Sequence, residues 1–141
     1  MQKYVLGYAF SEDRSIVSLV EKLKGPLCNL NKWNGIGGKV ETCEEYIDAM
    51  VREFHEETGI LIGKDDWRFV GTSAGKDFFM EIFSTITPLA DNYMPLQNDV
   101  GEPLKRHTVS AILENYYPYG ENVQTIVQHI LTGTGEVHFS V

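Results

Sequence analysis

One segment, Thr42 to Thr58 with the sequence TCEEYIDAMVREFHEET, leaves the chain little freedom. Ile47, Met50, Val51 and Phe54 recur at helical spacing, so only an α-helix gathers them on one side. A strand would scatter them over two faces. Thr42 followed by Glu45 is a capping-box pattern, and Gly59 fits the position just past a helix end, where the backbone turns left-handed. Glu53, Glu56 and Glu57 stand at i, i+3 and i+4 on the same helix. At about 100° per residue they cover an arc of roughly 100° beside the apolar stripe. Three carboxylates so close repel one another unless something neutralises them. Hard divalent cations prefer oxygen ligands, and magnesium binds a few carboxylates together with substrate phosphate oxygens. For an isolated E-x-x-E-E the plainer alternative is a solvated acidic face.

Other elements surround this helix. Tyr4 to Phe10 reads as a strand, Ser11 to Arg14 as a turn, and Ile16 to Leu23 as the second arm of a hairpin. Gly25-Pro26 breaks it, and the Gly- and Asn-rich stretch Leu27 to Lys39 reads as a loop. Beyond the helix, Trp67 to Ser73 and Phe78 to Thr87 read as strands. Pro88 to Gly101 is a long polar loop, a kind that is usually functional. Leu104 to Val109 reads as a strand. Val123, Ile126, Val127, Ile130 and Leu131 mark a second amphipathic helix, and Glu136 to Val141 alternates like a short final strand. The order predicts an α+β fold, an α/β/α sandwich with a mixed sheet. The 141 residues, 43% of them hydrophobic, suit one domain spanning 1–141.

The formal net charge is −8. Such a surface repels long nucleic acid unless a basic patch overrides it, and the densest basic stretch, Lys105-Arg106-His107, is short. A small anionic substrate carried in with a divalent cation fits better. Cys28 and Cys43 imply no disulfide framework. No signal-peptide pattern follows Met1 and no apolar run reaches about 18 residues. The expectation is a soluble cytoplasmic protein with no membrane partner; a homodimer is left open.

From Gly38 the chain reads GKVETCEEYIDAMVREFHEETGI. This resembles the Nudix box, G-x5-E-x7-R-E-U-x-E-E-x-G-U, where U is a bulky apolar residue. Gly38, Glu44, Arg52, Glu53, Phe54, Glu56, Glu57, Gly59 and Ile60 all fall in register. Such a match arises by chance in about one window in a billion at average residue usage. The resemblance implies a metal-dependent hydrolase of the Nudix type, with Mg2+ or Mn2+ as cofactor and a small nucleotide as substrate. It implies water attacking a diphosphate, metal-bound water made acidic, and a carboxylate taking the proton. Glu53 is the candidate base, Glu56 and Glu57 are the principal metal ligands with Glu53, and a carbonyl of Gly37 is a further ligand. Arg52 would orient the catalytic glutamate, whereas Glu44 looks structural. Gly37 and Gly38 let the loop backbone approach a ligand. Some family members draw the base from a loop far beyond the box. Here that loop offers Asp99 and Glu102, of which Glu102 is preferred.

Trp33-Asn34-Gly35-Ile36-Gly37-Gly38-Lys39 resembles the segment before the box in hydrolases of oxidised purine nucleoside triphosphates. There the asparagine matching Asn34 contacts the base, a role an amide can fill by donating and accepting; a turn-forming asparagine is the alternative. Lys39 would meet phosphate or stay solvated, and Trp33 would pack. ADP-ribose hydrolases carry a proline downstream of the box and diadenosine polyphosphate hydrolases a tyrosine. Near those distances stand Gly75, Lys76 and Asp77. The expected reaction is conversion of a purine nucleoside triphosphate, oxidised or not, to monophosphate and pyrophosphate. ADP-ribose or dinucleoside polyphosphate hydrolysis, RNA decapping and a non-catalytic nucleotide sensor are the alternatives.

Overall fold

The computed structural model describes residues 1–88, 95–133 and 135–141. Positions 89–94 of the predicted Pro88–Gly101 loop therefore lie outside the described residues. The strands are β1 (Gln2–Phe10), β2 (Ile16–Glu21), β3 (Trp33–Asn34), β4 (Ile36–Lys39), β5 (Arg68–Ala74), β6 (Phe78–Ile86), β7 (Leu104–Thr108) and β8 (Val137–Ser140). The helices are α1 (Tyr46–Thr58), α2 (Val109–Leu113) and α3 (Val123–Thr132). The sheet is mixed, as expected. Its order is β3-β2-β1-β6-β5-β8, with β4 on β1 and β7 on β2. β1 runs parallel to β6 along its whole length, and β5 parallel to β8. The remaining pairs are antiparallel.

Alternation along the central strands builds two cores. Val5 and Ala9 of β1 and Phe83 of β6 meet Met50 and Phe54 of α1. Tyr8 and Phe10 of β1 and Ile82 of β6 meet Val123, Ile126 and Val127 of α3. Side chains of a strand alternate between faces, so β1 and β6, buried on both sides, read as almost unbroken apolar runs. Helices cover both faces of one sheet, which is the predicted sandwich.

Two local expectations fail. Leu27 to Lys39 is not a loop throughout: β3 pairs with β2 and β4 with β1. The glycines that make this stretch look loop-like are what let β4 lie close to its neighbour. A Cβ on Gly37 would run into the backbone carbonyl of Val5. Nor does α1 start at Thr42. Cys43 has a left-handed backbone (φ 65°), the N-cap is Glu45, extended at φ −74° and ψ 151°, and no side chain caps it. Helical turns cannot pass through such a Cys43, so residues 42–45 form a turn before the helix. The C-terminus is as predicted, with Gly59 left-handed at φ 76°. Both cysteines are free and exposed.

Candidate active site

Helix α1 carries its apolar stripe into the first core and its carboxylates along the rim of that core. Glu44 and Arg52 set the geometry. Arg52 donates to Glu44 twice, Nε to Oε2 and Nη2 to Oε1, both at 2.9 Å. Glu44 Oε1 also accepts from the Glu41 backbone N–H at 3.0 Å, so this carboxylate closes the turn before the helix. The Arg52 guanidinium first, with the Glu41 N–H, holds the Glu44 pKa below its usual value against the effect of burial. Arg52 Nη2 reaches the Lys39 carbonyl at 2.9 Å, and Nη1 donates to Glu53 Oε1 at 3.0 Å and Glu56 Oε2 at 3.2 Å. One planar guanidinium thus ties the pre-helix turn, the end of β4 and two box carboxylates together. A fork of five fixed donors does this; a lysine cannot.

Glu53 lies against the backbone of Gly38, where a Cβ would overlap its carboxylate. Burial raises the Glu53 pKa, opposed by the Arg52 hydrogen bond and charge and reinforced by Glu56 and Asp99. Glu57 is deeper. Burial pushes its pKa up to about 7, opposed by Lys22 and the Asn98 hydrogen bond and reinforced by Glu53 and Asp99. Its Oε1 accepts from Asn98 Nδ2 at 3.2 Å, and its Oε2 is buried with no hydrogen-bond partner among the described residues.

The candidates from the sequence do not all fall in one place. Glu44, Glu53, Glu56 and the Lys39 carbonyl come together around Arg52, with Gly38 against Glu53 and Glu57 one turn beyond Glu53 on α1; the Lys39 side chain is exposed. Gly37 sits in β4 opposite Leu6. Glu102 is not at the carboxylate cluster itself. It is 2% exposed and accepts from Lys22 Nζ at 3.1 Å, the Leu23 backbone N–H at 2.8 Å and Asn98 Nδ2 at 3.1 Å. Burial alone would raise its pKa, but these hydrogen bonds and the Lys22 charge outweigh it and hold the pKa low. Asn34 stands apart, in β3, its amide packed against Gly120 with no room for a Cβ there. Nδ2 donates to the Lys32 carbonyl at 3.3 Å, which leaves one amide hydrogen and the carbonyl oxygen for another partner. Trp33 packs, its ring 4.6 Å from that of His107. The sequence reading missed Asn98 and Lys22. Neither residue type announces itself, and only the fold brings them within reach of Glu57 and Glu102.

The NUDIX domain family model matches residues 2–126. The chain belongs to the Nudix family. It is a Nudix pyrophosphohydrolase; Nudix proteins act on small nucleotide substrates and generally use divalent metal ions. Solved structures share the fold at low identity. The mutator MutT protein of Bacillus halodurans is 20% identical with a TM-score of 0.77, covering 99% of this chain and 88% of that one. A MutT structure from work on Aliivibrio salmonicida and Vibrio cholerae is 22% identical with a TM-score of 0.69, covering 93% and 98%. The Nudix domain of Shewanella oneidensis NrtR, in complex with ADP ribose, is 15% identical with a TM-score of 0.74, covering 92% and 86%. No curated protein matches the chain.

The donors suit a hard cation: carboxylate oxygens, one of them buried and unpartnered, in surroundings that penalise uncompensated negative charge. They are not gathered into a cage. Among the described residues no three acidic, histidine or cysteine side chains converge on one point, because Arg52 draws Glu56 and one oxygen of Glu53 towards itself.

Proposed function

We propose that this Nudix enzyme hydrolyses a purine nucleoside triphosphate, oxidised or not, to the monophosphate and pyrophosphate, with Mg2+ or Mn2+ bound at Glu53, Glu56 and Glu57 and at a Gly37 carbonyl. The observation that carries the reading is the pairing of two half-buried carboxylates, Glu53 and Glu57, on one helix face, with the Glu57 Oε2 left unpartnered. A bound cation would neutralise the phosphates and acidify water. The chain's own residues do the rest. Arg52 fixes one oxygen of Glu53, and the other faces the Gly38 backbone. Glu53 takes the proton of the attacking water as a new P–O bond forms and the bridging P–O bond breaks with pyrophosphate leaving. It suits the role of base better than Glu102, whose oxygens already accept three hydrogen bonds and whose pKa is held low. Asn34 offers one donor and one acceptor to a base edge, and Lys39, exposed beside the site, meets phosphate.

The test is a panel of nucleotides with product analysis, with and without chelator. Monophosphate plus pyrophosphate from a purine triphosphate, abolished by EDTA and restored by Mg2+ or Mn2+, is expected. AMP plus ribose phosphate from ADP-ribose as the preferred reaction would overturn the substrate assignment. Undiminished turnover in excess EDTA would overturn the cation site.

A further inference from the structure

Asn98, in the loop between β6 and β7, reaches the carboxylate face of α1. Asn98 is 5% exposed. Its Oδ1 accepts from the backbone N–H of Glu102 at 2.8 Å and of Val100 at 3.2 Å. Those two donors fix the amide's orientation, so Nδ2 must face the carboxylates. There it donates to Glu57 Oε1 at 3.2 Å and to Glu102 Oε1 at 3.1 Å. Glu102 is anchored in turn by Lys22 and the Leu23 N–H. The chain Lys22–Glu102–Asn98–Glu57 runs from the end of β2 to the carboxylate face of α1, and every link is a hydrogen bond to a charged group, the stronger kind.

We infer that Asn98 is a positioning residue: it clamps Glu57 Oε1 so that Oε2, the oxygen with no hydrogen-bond partner among the described residues, is the one presented to a divalent cation. This rests on the proposed reading of Glu57 as a cation ligand. Without the clamp the carboxylate rotates, and the cation meets an unprepared ligand. Outer partners of this kind typically contribute 10- to 100-fold in metal affinity. Glu102 then acts through Asn98, which gives a role to a carboxylate whose oxygens are already occupied.

A double-mutant cycle read by manganese binding decides it. Free Mn2+ is followed by electron paramagnetic resonance on the folded full chain, without nucleotide, for wild type, Asn98→Ala, Glu57→Gln and the double variant. Asn98→Ala should weaken Mn2+ binding at least about 10-fold. In the Glu57→Gln background it should change binding less than about twofold, because the group it positions is already gone. Asn98→Ser, which keeps a smaller polar group, should fall between wild type and alanine, and it carries the test if the alanine variant does not fold. If Asn98→Ala lowers Tm but binds Mn2+ like wild type, Asn98 only braces the loop and the inference is wrong. Equal losses in both backgrounds would also overturn it, since Asn98 would then act independently of Glu57. If Glu57→Gln itself leaves Mn2+ binding unchanged, the ligand reading fails, and this inference with it.

Discussion

Gly37 and Gly38 are adjacent, yet the absence of a side chain serves different ends in each. At Gly37 a Cβ would strike the Val5 carbonyl in β1, which is backbone and cannot move without shifting a strand. At Gly38 it would strike the Glu53 carboxylate, the movable end of a side chain. Gly37→Ala should therefore destabilise the fold, by about 1–3 kcal/mol as overpacking does. Gly38→Ala should melt within a few degrees of wild type while kcat/KM drops at least about tenfold, because Glu53 is displaced. Thermal melting beside steady-state kinetics separates them; a Gly38→Ala enzyme with wild-type kinetics would remove Glu53 from the reaction. Glu57→Gln makes the complementary case. It removes a buried charge that the fold holds at a cost and keeps an oxygen that can face Asn98. Apo stability should be unchanged or slightly higher, while kcat falls at least about a hundredfold, as when a charge stabiliser is lost. A variant that melts far below wild type yet keeps full activity per folded molecule would make Glu57 a structural partner instead.

Between elements, the link that matters joins the turn at 41–44 to α1. The sequence shows the helix through its apolar stripe and its closing glycine, but it misplaces the start. Thr42 and Glu45 satisfy a local capping pattern, and a competing long-range contact overrides it: Glu44 is claimed by Arg52, two turns into the helix. Thr42→Ala should then change stability by less than about 0.5 kcal/mol, instead of the ~1 kcal/mol typical of a lost N-cap. Glu44→Ala should cost about 1–3 kcal/mol and slow turnover, since the guanidinium that holds Glu53 loses its two-point anchor. Urea melts of the two variants check the order, and a Thr42→Ala loss as large as that of Glu44→Ala would restore the capping box. The same limit explains β3 and β4. The glycines in and between them, Gly35, Gly37 and Gly38, read as loop because nothing local tells a tight turn from a close strand approach; Val5 and Val20, far away in sequence, decide it. The box carboxylates were legible because they repeat at helical spacing. Asn98 was not, because its meaning lies in Glu57 and Glu102, one 41 residues away and the other reached only when the loop folds back.

At the scale of the whole molecule, the two faces of the sheet respond to acid in opposite senses. His107 of β7 is 2% exposed, enclosed by Trp33, Tyr117 and Tyr119 with the Lys105 ammonium over the Tyr117 ring. Its Nδ1 bonds the Tyr119 hydroxyl at 2.9 Å, while Nε2 is buried with no hydrogen-bond partner among the described residues. Burial above all, and then the Lys105 charge, pushes its pKa down to about 4. The unfolded chain takes up this proton near the ordinary histidine value of about 6.5, so between those values the unfolded state binds more protons than the native one. The neutral ring's contribution is complete above about pH 6.5 and is lost as pH falls towards about 4, up to about 3 kcal/mol in all. On the α1 face, Glu57 and Glu53 have raised pKa values. They bind protons more tightly in the native state and gain stability over part of the same range. A single stability profile would show the two effects cancelling. The difference between two profiles isolates the histidine, because the carboxylates are common to both. We therefore expect the stability of wild type relative to His107→Phe, measured by urea unfolding in EDTA, to decline by up to about 3 kcal/mol from pH 7 to pH 4. The offset at pH 7 is immaterial, since the phenylalanine also leaves the Tyr119 hydroxyl without its partner; the slope carries the information. Parallel profiles would mean that the native state protonates His107 as readily as the unfolded chain does, and that the aromatic enclosure opens to water well before the fold is lost.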